Sequence, residues 1–200
     1  MKTANRVYQF KISLREIEPL IWRRIQVPAK YNFWDLHVAI QDSMGWLDYH
    51  LHQFSIKRPH AQATTEIGIP DEEGYCDKEI IAGWDIDISR YFTDFGVTAL
   101  YRYDFGDGWK HDIILEGLLI KEKGVKYPRC IDGGRKCPPE DCGGTHGYFE
   151  FLEAVLNPSH EENVRMIEWY GSKYEPEEFS PAKVQFDNPK KRWRIAFQGK

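Results

Sequence analysis

Two runs of alternating polar and apolar residues, 98–106 and 109–119, meet at Gly106-Asp107-Gly108. That junction constrains the fold more than any other segment. Glycine adopts positive φ without steric cost, so Gly-Asp-Gly between strand-like runs reads as a tight reversal. An earlier pair has the same form. Residues 7 to 16 alternate, with Tyr8, Phe10, Ile12 and Leu14 on one face. Glu18-Pro19 marks a turn, and a second strand over 20–27 ends at Pro28. Successive hairpins pair neighbouring strands, and such pairs are antiparallel.

Helical signals interrupt the hairpins. Asn32 reads as an N-cap with Asp35 three residues on, and Gly45 as the stop. Between them Phe33, Leu36, His37, Ile40 and Met44 recur at helical spacing. His50, His52, Phe54 and Ile56 share one face of a further strand. Residues 59–86 read as an irregular excursion with an acidic turn at Asp71-Glu72-Glu73-Gly74. Ile88, Tyr91, Phe92 and Phe95 mark a short helix closed by Gly96. A long Pro- and Gly-rich loop, Lys121 to Thr145, feeds a helix with the stripe Tyr148, Phe151, Leu152 and Val155. Asn157-Pro158 ends it, and Ser159 with Glu162 forms a capping box for the next helix, which stops at Gly171. Beyond Ser180 the pattern allows a helical turn, then a strand or tail through Trp193 to Phe197, with a basic tail over 188–200. Hairpins and helices without a βαβ rhythm predict an α+β class. The expectation is one domain over residues 1–200, a mainly antiparallel sheet with several short helices packed on it.

The chain has 200 residues, among them 7 Trp, 11 Tyr and 11 Phe, which predicts a core of large flat side chains. The formal net charge of -4 gives no basic footprint of a nucleic-acid binder. No window approaches 18 apolar residues, so no membrane span is expected. The N-terminus lacks an apolar leader segment, and a cytoplasmic location is expected. Cys76, Cys130, Cys137 and Cys142 are then reduced thiols or metal ligands rather than disulfides.

Three groups of residues could carry chemistry. Asp104, Asp107 and His111 gather around the hairpin turn. If the strand carrying His50 and His52 converges on it, a mixed imidazole–carboxylate site results, suited to zinc, iron or manganese. The competing reading makes Asp107 a turn former that bonds nearby backbone, and His52 and His111 core residues. The second group is Cys130, Cys137, Cys142 and His146, spaced C-x6-C-x4-C-x3-H. These are the ligand types of a tetrahedral zinc, although the C-x2-C knuckle is absent. The alternatives are buried thiols and a loop braced by Pro138-Pro139-Glu140-Asp141. The third group is a cleft of Trp46, Trp84 and Trp109 with Arg23 and Arg24, able to stack bases or grip a peptide. Plain core packing is the preferred reading of the tryptophans. No G-x-S-x-G, P-loop or dinucleotide fingerprint occurs.

The order of motifs is distinctive: Pro19-Leu20-Ile21-Trp22-Arg23-Arg24, Leu36-His37-Val38-Ala39-Ile40-Gln41, Met44-Gly45-Trp46, His50-Leu51-His52-Gln53-Phe54, Tyr103-Asp104-Phe105-Gly106-Asp107-Gly108-Trp109, and Pro138-Pro139-Glu140-Asp141-Cys142-Gly143-Gly144. Over residues 6 to 185 this set resembles the plasmid pRiA4b ORF-3-like family. The resemblance implies one α+β domain, a family of bacterial and archaeal proteins without an established activity, and a loose association with mobile elements. Two functional readings follow. The first is a binding module for a protein or nucleic-acid partner, with Arg23, Arg24, Trp109, Glu140 and Asp141 as contacts. The alternative is a metal-dependent, hydrolase-like enzyme using Asp104, Asp107, His111 and His52, with zinc or another divalent metal as cofactor.

Overall fold

A computed structural model describes residues 5–58, 61–70 and 79–199. Its frame is an eight-stranded sheet formed by β1 (Arg6–Leu14), β2 (Trp22–Pro28), β3 (His52–Ile56), β4 (Thr65–Gly68), β5 (Ile80–Ala82), β6 (Thr98–Tyr103), β7 (Trp109–Ile120) and β8 (Arg129–Gly134). The strand order is β5-β4-β3-β6-β7-β1-β2-β8. Every pairing is antiparallel except β4 with β5. The predicted hairpins β1–β2 and β6–β7 both form, and β1 joins them by pairing with β7. The four α-helices among the described residues are α1 (Phe33–Met44), α2 (Gly144–Leu156), α3 (Asn163–Tyr170) and α4 (Pro189–Gln198). The chain is thus α+β, with a mainly antiparallel sheet.

The alternation of β1 is a burial pattern. Phe10, Ile12 and Leu14 are buried while Gln9, Lys11 and Ser13 are half-buried. Phe10, Ile25, Ile113 and Leu115 are fully buried in one core with Phe33, Leu36 and Ile40 of α1. The helix is docked by its predicted start. Asp35 N–H donates to Asn32 Oδ1 at 2.8 Å, and Asn32 N–H to Asp35 Oδ2 at 3.4 Å, a reciprocal capping box. Gly45 ends it at φ 89°, a conformation that side chains rarely adopt.

Several segments differ from the sequence reading. The short helix expected through Phe95 is a single 3-10 turn, Ile88–Arg90, with Phe95 exposed, and His50 precedes β3 instead of lying on it. The excursion at 59–86 is not wholly irregular: β4 extends β3, and β5 runs parallel beside it. The acidic turn at 71–74 lies outside the described residues. The loop from Lys121 to Thr145 contains β8, which adds an edge to β2. Its RCIDGG sequence does not alternate because an edge strand need not bury one whole face. Ser159 and Glu162 form no capping box; instead Asn157 Oδ1 accepts from Ser159 N–H and His160 Nδ1 from Glu162 N–H. The expected basic tail is α4, started by Asn188, whose side chain accepts from Lys190 and Lys191 N–H. Trp193, Phe197 and Arg192 tie it down: Phe197 packs on Trp34 and Trp84, and Arg192 bonds Asp42 of α1 at 2.9 Å. Its lysines and arginines were legible; their helical seat beside α1 was not.

Candidate functional site

The hairpin tip is built around Asp104 rather than Asp107. Asp104 has φ 52° and accepts through Oδ1 from Gly106 N–H at 2.9 Å and Asp107 N–H at 3.3 Å. The expected turn-forming carboxylate is therefore displaced by three residues. Asp107 reaches across to the next element, where its Oδ2 accepts from Gly143 N–H at 3.1 Å. Gly143 precedes the first turn of α2, so the carboxylate meets the positive end of a helix. At Gly144, φ 68°, an added Cβ would run into the carbonyl oxygen of Asp107. Glycine is required there by the close approach of hairpin and helix.

A third segment, residues 46–51, locks onto these two. Trp46 Nε1–H donates to Pro138 O at 2.9 Å, and Leu47 N–H to Glu140 Oε1 at 2.7 Å. Tyr103 O–H also donates to Glu140, at 3.0 Å, and accepts from Tyr49 N–H. Burial raises the Glu140 carboxyl above its ordinary range, partly offset by those bonds. Asp104 N–H donates to Leu51 O at 3.0 Å. These segments also carry exposed large side chains: Leu47, Tyr49, Leu51 and Phe105.

His50, Asp104 and Asp141 converge at the junction. His50 Nε2 lies 2.8 Å from Asp141 Oδ1 and 3.6 Å from Asp104 Oδ2. The shorter approach is off the line of a hydrogen bond, so the buried nitrogen has no aligned acceptor. Their ligand atoms lie within 4.8 Å of one another. One imidazole and two carboxylates form a donor set for a divalent cation. Asp141 also lines a pocket of about 250 Å³ between α2 and α3, with Phe151, Met166 and Trp169 as apolar walls and Glu150 and Arg165 among its polar groups.

The five-residue site expected from sequence divides. His50, just before β3, and Asp104 lie together, and Asp141 joins them from the Pro-Pro-Glu-Asp loop. His52 does not join: it stacks on His37 inside the protein. His111 is fully buried between Trp46 and Tyr101, and neither ring nitrogen has an aligned hydrogen-bond partner. Burial pushes its imidazole down to about 3. Asp107 serves the helix, as described. His37 and Asp48 were not singled out, because a histidine on an apolar helix stripe carries no separate sequence signal.

Cys130, Cys137, Cys142 and His146 do not converge into a four-ligand group among the described residues. Cys130 lies on β8 with its thiol toward Asp132 O, and Cys137 is buried in the core. Burial pushes the Cys137 and Cys142 thiols up to about 12. His146 points to solvent beside Glu150. Cys130 sits on a strand, Cys137 and Cys142 on the loop that follows it, and His146 on α2. Cys76 lies outside the described residues.

Three expected contact residues are engaged within the protein. Arg23 is 1% exposed, stacks 3.7 Å over Phe179, and donates to the carbonyls of Ser43, Trp22 and Gly134. Arg24 pairs with Glu116 and Asp132. Trp109 is buried against Trp46. Glu140 and Asp141 remain at the junction.

The fold and site define an α+β protein whose hairpin tip, histidine loop and Cys/Pro loop share one end of the sheet. The chain belongs to the plasmid pRiA4b ORF-3-like protein family, whose model matches residues 6–183. It is 36% identical over 167 residues to the uncharacterized protein y4hQ of Sinorhizobium fredii, covering 83% of this chain and 81% of that one. It is also similar to the crystal structure of the protein of unknown function MM3350 from Methanosarcina mazei Go1, with 41% identity and a TM-score of 0.82. That match covers 91% of this chain and 99% of the other.

Proposed function

We propose that this protein is a cation-dependent binding module for a protein partner. A divalent cation is held by His50, Asp104 and Asp141. An oxygen-bearing side chain of the partner completes its coordination, and a neighbouring apolar side chain enters between Phe151, Met166 and Trp169. The observation that carries this reading is that Asp141 belongs both to the ligand group and to the pocket wall. Exposed Leu47, Tyr49, Leu51 and Phe105 supply apolar contact area beside it. Interface cores are enriched in such aromatic residues, Met and Arg. Nucleic acid is the less supported partner, since Arg23 and Arg24 are already paired.

The test has two stages. Calorimetric titration with Mn²⁺ should show saturable binding that His50→Ala and Asp141→Asn abolish, with a tryptophan fluorescence change that Trp169→Phe removes. A displayed peptide library selected in Mn²⁺ should then yield sequences pairing an acidic residue with a large apolar one, released by chelator and lost on Trp169→Ala. Absence of Mn²⁺ binding at millimolar concentration, or selected peptides indifferent to chelator, would sink the proposal. A second reading, a hydrolase-like enzyme, is favoured by the ligand count: three protein ligands leave a position for an activated water. It requires cation-dependent release of p-nitrophenol from chromogenic esters or phosphodiesters that His50→Ala eliminates.

A further inference from the structure

The feature outside that face with the clearest unmet chemistry lies in the interior, where α1 and β3 press two imidazoles together. His37 and His52 stack with centroids 3.4 Å apart and planes 7° from parallel. His37 is fully buried and His52 is 3% exposed. His52 Nδ1 has no hydrogen-bond partner among the described residues. A buried polar atom is normally satisfied, and one that is not calls for an explanation such as an ion. Across from the pair, Asp48 Oδ1 lies 2.7 Å from His37 Nε2. The three residues offer ligand atoms within 4.8 Å of one another.

We propose that His37, Asp48 and His52 form an interior cation site for a first-row transition metal, separate from the site at the hairpin tip. Two imidazoles and one carboxylate suit Zn²⁺, Co²⁺ or Fe²⁺, whereas the outer set, with two carboxylates and one imidazole, suits harder cations. Each nitrogen lone pair lies in its ring plane, so sharing one cation requires the two rings to fan apart from their 7° stack. The surroundings support ligation by His37. Its Nδ1 lies 2.8 Å from Tyr101 Oη, which is also 2.9 Å from Gln41 Nε2. A ligating histidine carries its proton on the nitrogen that does not bind metal and donates it to a fixed acceptor. In the cation-free state a proton bridges His37 Nε2 and Asp48. When the cation takes Nε2, that proton moves to Nδ1 and is donated to Tyr101 Oη. The tyrosine hydroxyl then donates to the Gln41 carboxamide, whose Oε1 has no partner and comes within reach by a half-turn of the amide. No proton is released or consumed overall. Arg192 Nη1, 3.8 Å from Asp48 Oδ2, stands on the far side of the carboxylate and closes the site with α4.

The experiment uses the full chain stripped with chelator, in an Asp104→Asn, Asp141→Asn background that disables the outer site. Co²⁺ titration followed by visible absorption should give one equivalent bound, against two in the unsubstituted protein. Adding His52→Phe, which keeps a flat ring stacked on His37, should reduce affinity at least tenfold. In the same background, Zn²⁺ should shift the ring ¹⁵N resonances of both His37 and His52 in the folded protein. That spectrum decides the matter even if His52→Phe does not fold. No Co²⁺ binding in the background variant, or binding that leaves both histidine signals unmoved, overturns the proposal. Either result leaves the outer site standing, because its Mn²⁺ response is read separately through Trp169.

Discussion

At the scale of single residues, burial governs His52 and His111. His111 is fully buried and its imidazole is held down to about 3, against an ordinary value near 6.5. His52 is shifted in the same direction by burial and by His37. A depressed imidazole remains neutral in the folded protein while the unfolded chain takes up a proton. Its contribution to stability is therefore complete above about pH 6.5 and is lost as pH falls toward 3. Asp35, Asp42 and Glu140 act oppositely, because burial raises their carboxyls. The histidine term must be isolated by difference. Between pH 7 and pH 5, His111 alone should cost about 2 kcal/mol of unfolding free energy. Urea denaturation of His111→Phe at both pH values should show a flatter dependence than the parent; equal slopes would refute the assignment. The capping pair Asn32–Asp35 was readable at this scale because both partners lie within one turn. The approach of His50 to Asp141, across 91 positions, was not, since nothing local signals it.

At the scale of elements, alternation revealed β1, β2, β6 and β7 because each has a buried face. The short strands β5 and β8 were missed for the converse reason, and β4, four residues with three of them buried, is too short to show alternation. β5 is half-buried throughout, and β8 is half-buried or exposed, so neither shows period-two contrast. The last helix carried its start signal in Asn188-Pro189, an N-cap followed by proline at the first helical position. Its run of basic residues, Lys190, Lys191, Arg192 and Arg194, masks that signal. Its attachment depends on Arg192, which bonds the nearly buried Asp42 and the exposed Asp187. Arg192→Ala leaves Asp42 with only the Asp187 N–H as a bonded partner. The expected loss is about 2 kcal/mol, read from the urea midpoint. Asp42→Asn in the same chain should recover part of it. Independent, additive effects of the two substitutions would show that the pair does not couple α4 to α1.

At the scale of the whole molecule, the sheet joins strands far apart in sequence at its centre. β1 pairs on one side with the adjacent β2 and on the other with β7, as in Phe10 opposite Leu115. Long-range pairings must pay loop-closure entropy before they return contacts, which slows folding. Stopped-flow refolding from urea should proceed over milliseconds to seconds, with single-exponential microsecond recovery counting against this topology as the barrier. The same arrangement has a consequence on the ribosome. The first strand can form a hairpin with β2 early, yet its other edge waits until residues 109–120 have been made. At about 5–20 residues per second, that edge stays open for roughly 5–20 seconds of each synthesis. During that interval an apolar ribbon with free backbone groups is a natural target for a nascent-chain chaperone.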